Sequence, residues 1–393
     1  MDTTTIFEVD LPPELYRGIA EALRRPSERP VLRSLSLVNN VWRKESQRIL
    51  FMDMWDECYN SDKEERGWVN THIRFLQAIC AHPHRLGPYV RSYGQFKLAC
   101  DSSNPTGHGA IEFNGNQPRS ENDKQDSVQL WELTVQALPT LINLKHLVLI
   151  PRFLYFPNSL SSSLSQCQFQ LQSLTWLSID TDVAFWGFLA TQKSLLHLDL
   201  TPHLPTSTLL PAACPSLISI ACAPYRASFF AKCSKIIAYK LLNFNFLESS
   251  LIHLGPGSAA QVKYLSIEVY APRTEFSGIV LLEIENWNLE TIRSLAHLHE
   301  LRTLVLCSPH AAPDITHDEK ARLSVVAEAS KRCPSLERIL HNVRSEDPYQ
   351  RHYSQFAIIR DSPDTGSTPR MISREVHKDV EFGALWWEPY DDA

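Results

Sequence analysis

The feature that most restricts how this chain can fold is a three-position apolar signature that returns throughout its second half. Leu144, Leu147 and Leu149 stand as apolar, two residues, apolar, one residue, apolar. The same arrangement recurs at Leu174, Leu177 and Ile179; Leu195, Leu198 and Leu200; Leu217, Ile220 and Cys222; Ile236, Tyr239 and Leu241; Val262, Leu265 and Ile267; Ile279, Leu282 and Ile284; and Leu301, Leu304 and Leu306, with Leu336 and Ile339 opening an imperfect last copy. The last two positions of each triplet alternate with one residue between them, which puts both side chains on the same face of a strand. So short a strand cannot hide that face alone, and successive copies must cover one another.

First positions at 144, 174, 195, 217, 236, 262, 279, 301 and 336 are 30, 21, 22, 19, 26, 17, 22 and 35 residues apart. Each spacer has room for a helix or an irregular turn: Asp182 to Gln192, Trp287 to Leu298 and Asp314 to Arg332 are the clearest helices. Cys214-Pro-Ser-Leu217 and Cys333-Pro-Ser-Leu336 place a helix-stopping Pro just ahead of the next strand. The pattern resembles degenerate leucine-rich repeats, whose period is 20 to 29 residues. The expected fold class is α/β, an irregular solenoid over 128–345 with parallel strands on a concave side and helices on a convex side. In such a strand the residues between the leucines face outward, which gives Trp176, Ser178, Asp180, His197, Asp199, Tyr264, Glu268, Glu283 and Glu285 as candidates for contacting a target. Trp176 and Tyr264 stand out, because exposed aromatics anchor interfaces.

The flanks read differently. Residues 54–100 form a connector, with an amphipathic helix from Trp68 to Cys80 and a strand within Leu86 to Ala99. Residues 101–127 are rich in Asn, Ser, Gly, Asp and Gln and read as a solvated insertion, followed by a helix from Val128 to Leu138. Residues 346–393 hold a terminal strand from Tyr353 to Ile359, a polar linker from Asp361 to Pro369, and an aromatic tail, Glu381 to Tyr390, suited to capping the last repeat.

A net charge of -6 with no dense Lys/Arg block offers nothing to nucleic acid or to an anionic membrane, so neither is an expected partner. With no basic, apolar leader at its start and no span-length apolar run, the chain reads as cytoplasmic or nuclear. Nine cysteines, never spaced Cys-x-x-Cys, argue against both a disulfide framework and a zinc site. His82-Pro-His84 is better read as a helix-ending loop than as a metal site, and Gly255-Pro-Gly257 as a turn than as a phosphate cradle. No nucleophile elbow or metalloprotease motif occurs. The expectation is a protein that is not an enzyme and needs no cofactor or metal.

At the opposite end, residues 8–53 condense into three short helices. Pro12 and Pro13 suit a helix start, and Leu15, Ile19 and Leu23 then recur along one face. Arg25-Pro26 and Arg29-Pro30 interrupt, Val31 to Val38 is a second segment, and Val41 to Phe51 a third. A bundle of roughly 40 residues cannot hide Leu11, Leu15, Ile19, Leu32, Leu35, Leu37, Val38, Trp42, Leu50 and Phe51 together. Something beyond the bundle must cover part of that set.

The order Leu-Pro-x-Glu-Leu, a helix, Ser-Leu-Val, Trp42 and Leu50-Phe51 resembles the F-box, in the form common in basidiomycete fungi, although Asn39, Asn40 and Val41 stand where that family usually has Cys and basic residues. The resemblance implies docking, through Leu11, Pro12, Leu15, Ile19, Leu35, Val38 and Trp42, onto the Skp-family adaptor of a cullin–RING (SCF-type) ubiquitin ligase, with the repeats holding an unknown protein target. Two other functions compete: a leucine-rich-repeat scaffold without ligase association, whose module would pack against the repeats, and a hydrolase, which would need acid, base and nucleophile converging in one pocket.

Overall fold

In the computed structural model, residues 11–24, 26–54, 65–95, 121–149, 160–176, 183–200, 214–222, 235–241, 259–267, 276–284, 287, 289–307, 319–343, 350–359 and 370–379 are described. Three helices come first: α1 (Pro13–Ala22), α2 (Arg29–Leu35) and α3 (Asn40–Leu50). Pro13 occupies the first turn of α1, where a missing N–H costs nothing. Asn39 caps α3, its Oδ1 accepting the Trp42 N–H at 2.8 Å. That cap moves the boundaries from the expected ones: α2 stops at Leu35, and Leu37 and Val38 belong to the turn that leads into Asn39. The bundle closes on Ala20, Leu32 and Ile49, with Leu23, Leu50 and Met52 beside them. Glu45, nearly buried, receives Arg48 Nε at 2.9 Å and faces Arg17 at 3.6 Å, while Arg48 also reaches Glu21 at 2.9 Å, tying α1 to α3.

Among the described residues a single 13-stranded sheet follows, its strands arranged side by side in chain order. The strands are β1 (Asp53–Met54), β2 (Ser92–Gln95), β3 (His146–Leu149), β4 (Ser173–Trp176), β5 (His197–Leu200), β6 (Ser219–Cys222), β7 (Ala238–Leu241), β8 (Tyr264–Ile267), β9 (Leu281–Ile284), β10 (Thr303–Cys307), β11 (Arg338–Val343), β12 (Gln350–Ile359) and β13 (Arg370–Asp379). Every neighbouring pair from β1 to β11 is parallel, whereas β12 and β13 run antiparallel. Between strands lie α4 (Glu65–Ala81), α5 (Pro83–Leu86), α6 (Glu121–Ala137), α7 (Leu160–Leu164), α8 (Val183–Thr191), α9 (Leu289–Arg293) and α10 (Glu319–Arg332). α4 packs on α6, α7 on α8 and α9 on α10, giving one helical layer against one face of the sheet. The architecture is thus mixed α/β and solenoid-like.

One hydrogen-bond device recurs at each step. The carbonyl of the residue just before a strand accepts two successive N–H groups from the next repeat: Met52 from Arg91 and Ser92, Arg91 from Lys145 and His146, Lys145 from Gln172 and Ser173, Gln172 from Leu196 and His197, and so on to Arg302, which receives Glu337 and Arg338. In the turns ahead of the strands, the N–H of the leading apolar residue bonds the carbonyl three residues back, as in Leu144 to Leu141, Leu217 to Cys214 and Leu336 to Cys333. The Cys of each Cys-Pro-Ser-Leu phrase also donates its thiol to a helical carbonyl earlier in the chain, Cys214 to Leu189 O and Cys333 to Leu295 O. Close turn-to-turn contact explains Gly87, where a Cβ would lie 2.5 Å from the Thr140 carbonyl oxygen.

The pairing corrects one repeat. Leu174 is opposite Leu147 and Leu198, and Trp176 opposite Leu149 and Leu200. The triplet here is therefore Leu171, Leu174 and Trp176, three residues earlier than the expected Leu174, Leu177 and Ile179. Trp176 takes the last apolar position, 1% exposed, its ring 4.8 Å from Phe185 of α8. It is a core residue and not part of an outward face. The other triplets lie in the expected frame, each apolar member buried, and the same core also takes in Val90, just ahead of β2, and Tyr93 of β2. Tyr93 Oη is 3.4 Å from His72 Nδ1 and accepts Gln95 Nε2 at 2.6 Å; Gln95 donates also to Thr134 Oγ1 at 2.8 Å, so the polar substitutes at this repeat satisfy one another.

The ends differ from expectation too. α6 begins at Glu121, inside the stretch read as a solvated insertion. The last parallel strand is covered by the β12–β13 hairpin, of which only part of β12 was expected; the aromatic tail from Glu381 to Tyr390 lies outside the described residues. The helical module joins the first repeats through a column of rings, Phe51 stacked on Phe75 at 5.4 Å and Phe75 on Tyr93 at 6.1 Å, and through Arg24 on the Asp53 carboxylate at 2.8 Å. Among the described residues no helix is long and apolar enough to cross a membrane.

The corrected frame has a direct consequence. Trp176→Ala removes a fully enclosed ring and is expected to cost about 3–5 kcal/mol in denaturant unfolding. Trp176→Phe should cost far less, since the indole N–H has no acceptor among the described residues, and Thr175→Ala, on the other face of β4, should cost under about 1 kcal/mol. Equal tolerance at 175 and 176 would contradict the pairing.

Candidate interaction surfaces

Two surfaces are candidates, one on the helical module and one on the face of the sheet opposite the helices. On the module, Leu15, Ile19, Val31, Leu37, Val38 and Val41 are all exposed, Leu37 at 81% and Val38 at 64%. Of the seven docking residues expected from the sequence, Pro12, Leu15, Ile19 and Val38 are exposed, whereas Leu11, Leu35 and Trp42 are half-buried. Trp42 is held edge-on by Tyr16 at 4.8 Å, so much of its ring serves the bundle itself. The sequence reading of the docking set missed Val31, Leu37 and Val41. Leu15 and Ile19 share a face of α1 through their four-residue spacing, and Leu37, Val38 and Val41 cluster at the α2–α3 turn. Gly18 stands between Leu15 and Ile19 with no atom within 4 Å of where its Cβ would be.

The open face of the sheet is organised in two rows by the strand register. One runs His146, Ser173, His197, Ser219, Ala238, Tyr264, Leu281, Thr303 and Arg338; the other runs Val148, Thr175, Asp199, Ala221, Lys240, Ser266, Glu283, Val305 and Leu340. The expected target-facing residues His197, Asp199 and Tyr264 do lie in these rows and are half-buried. Glu283 lies in the second row but is only 6% exposed, its Oε1 receiving the Cys307 thiol at 3.7 Å, so it is not a free contact residue. Ser178, Asp180, Glu268 and Glu285 fall outside the described residues. The first part of the face is polar; further along, Ala238, Leu281, Val305 and Leu340 form a separate small apolar cluster.

At β5 the polar part becomes charged. His197 Nδ1 lies 2.9 Å from Ser219 Oγ, and burial, reinforced by the Lys240 ammonium, lowers the imidazole to about 4 and keeps it neutral near pH 7. Asp199 has one carboxylate oxygen buried without a hydrogen-bond partner. Burial raises it to about 7, opposed by Lys240, which approaches across the small Ala221 of the intervening strand. Ser219, His197 and Asp199 thus share one face without forming a relay: no hydrogen bond joins His197 to Asp199, and Ser219 is fully enclosed. Among the described residues no cluster of three or more His, Cys, Asp or Glu is placed to hold a metal ion. Lys240 was not among the sequence candidates; only the register brings it to Asp199.

No known family model matches the chain, and no curated protein is similar to it.

Two outcomes follow from these surfaces. Gly18→Ala should raise stability by about 0.5–1 kcal/mol, because the site is open and glycine weakens a helix interior. Asp199, with its folded-state value raised from 3.8 to about 7, retains its proton in the fold where the unfolded chain has lost it, so its contribution declines as pH climbs through that window. His197, lowered from 6.5 to about 4, acts in the opposite sense over its own window. In thermal melts, Asp199→Asn should therefore gain on the parent from about pH 4 to about pH 7 and hold a constant lead above. A pH-independent gap would show that Asp199 is not buried as described.

Proposed function

We propose that the chain is a non-catalytic substrate-recognition adaptor of a cullin–RING ubiquitin ligase, with the helical module docking onto a Skp-family adaptor and the open sheet face holding a protein target. The observation that carries this reading is the exposed apolar face of the module. Burying a side chain such as Leu37 or Val38 in a partner recess is worth about 1.5–3 kcal/mol each, and a set of six is enough to hold a partner once the costs of association are met. The module is anchored to the repeats by its opposite end, through Phe51, Arg24 and Asp53, which leaves that face clear of the sheet. A scaffold with a module folded down on its own repeats would show the reverse.

The target side of the proposal rests on the polar part of the open face, where His197 and Asp199 of β5, Lys240 of β7 and Tyr264 of β8 stand within four successive strands. His197, Asp199 and Tyr264 are each half-buried, so each keeps some polar surface open to the bound protein.

Leu15→Asp combined with Val38→Asp changes only exposed side chains, so the variant should fold as the parent does. In pull-downs with a purified Skp-family adaptor it should lose more than about 100-fold in affinity, since each buried charge costs at least 1–3 kcal/mol. Retention of the adaptor by this variant would sink the assignment.

A further inference from the structure

The cations of the helical module are sorted by position. Arg17, Arg24 and Arg48, which face the bundle and the first strand, each engage a carboxylate: Glu45, Asp53 and Glu21 with Glu45, respectively. Arg33, Arg43 and Lys44 are exposed, and their charged groups make no hydrogen bond or ion pair among the described residues. All three border the α2–α3 part of the apolar face. Arg33 lies in the last turn of α2, four residues ahead of Leu37 in the turn that follows, and Arg43 and Lys44 lie near the start of α3, two and three residues after Val41. The exposed Glu14 lies on α1, in its first turn, where the helix dipole favours it. A chain with a net charge of -6 therefore carries a local positive rim beside Leu37 and Val38, the two most exposed large apolar side chains of the module.

We infer that the surface receiving this module is an apolar recess bordered by carboxylates, and that Arg33, Arg43 and Lys44 steer the encounter while Leu37 and Val38 hold the complex. The inference rests on the adaptor reading and deepens it, by specifying the charge of the partner's rim. Exposed rim charges act mainly on the rate of association, because they work across solvent before contact and are screened by salt. Enclosed apolar side chains act on dissociation. The competing explanation, cations kept only for solubility, predicts no salt dependence in either rate.

The experiment uses the full chain and a purified Skp-family adaptor, with association and dissociation rates measured at about 50 mM and about 500 mM salt, where the screening length falls from about 14 to about 4 Å. For the parent, association should slow by roughly tenfold at high salt and dissociation should barely change. The triple variant Arg33→Glu, Arg43→Glu, Lys44→Glu should associate at low salt no faster than the parent does at high salt. Leu37→Asp should dissociate faster yet keep the parent's salt dependence, and Lys193→Glu, far out on the repeats, should change neither rate. Melting curves matching the parent's establish that the triple variant is folded. A triple variant with the parent's association rate and salt response overturns the rim and leaves the adaptor reading standing. Failure of the parent to bind the adaptor at all overturns both.

Discussion

The structure depends on a single backbone arrangement: a carbonyl at the edge of each strand that accepts two N–H groups from the next repeat. From Met52 to Arg302 the same contact is made at every step. It fixes the register of each short strand, and with it the face on which every side chain lies, because a slip of one residue would exchange core and surface. The leucine column, the stacking of α4 on α6 and α9 on α10, and the two outward rows all follow from it. Loops can vary in length without disturbing it, which is why spacings from 17 to 35 residues coexist in one sheet.

Much of this arrangement is legible in the sequence, for a physical reason. A strand with one buried face must repeat its apolar positions, so the frames at Leu144, Leu195, Leu217, Ile236, Val262, Ile279 and Leu301 match the observed core. The fourth strand was misread because Leu171, Leu174 and Leu177 are spaced three apart and support two overlapping frames. A tryptophan at the last core position concealed the correct one, and only the opposing Leu149 and Leu200 decide between them. The closing hairpin was less legible still. β13 is held by its pairing to β12, and a strand at the edge needs little apolar alternation to persist, as Ser373, Arg374 and Glu375 show by their exposure.

The candidate surfaces show the same division. The resemblance to the F-box picked out Leu15, Ile19 and Val38, yet it could not separate them from Leu11, Leu35 and Trp42, which are half-buried. In so small a bundle that distinction is made by single tertiary contacts, such as the Tyr16 ring against Trp42. Likewise His197 and Asp199 were legible as alternating strand residues, whereas Lys240 belongs to the same cluster only because β5, β6 and β7 align Asp199, Ala221 and Lys240 in one row. A pattern within one strand says which way a residue points. It does not say who its neighbours are two strands away.

Because the thirteen strands succeed one another in chain order, the molecule is also a ruler. Each strand advances the sheet by about 4.8 Å, so roughly 55–60 Å of path, measured along the sheet, separates β1 from β13. Gaining or losing one repeat would lengthen or shorten that path by one graduation and leave the chemistry of every other repeat as it was. The helical module is fastened at the zero mark by Phe51, Phe75 and Tyr93. Anything gripped by the open face is therefore held at a distance from the module that is counted in strands.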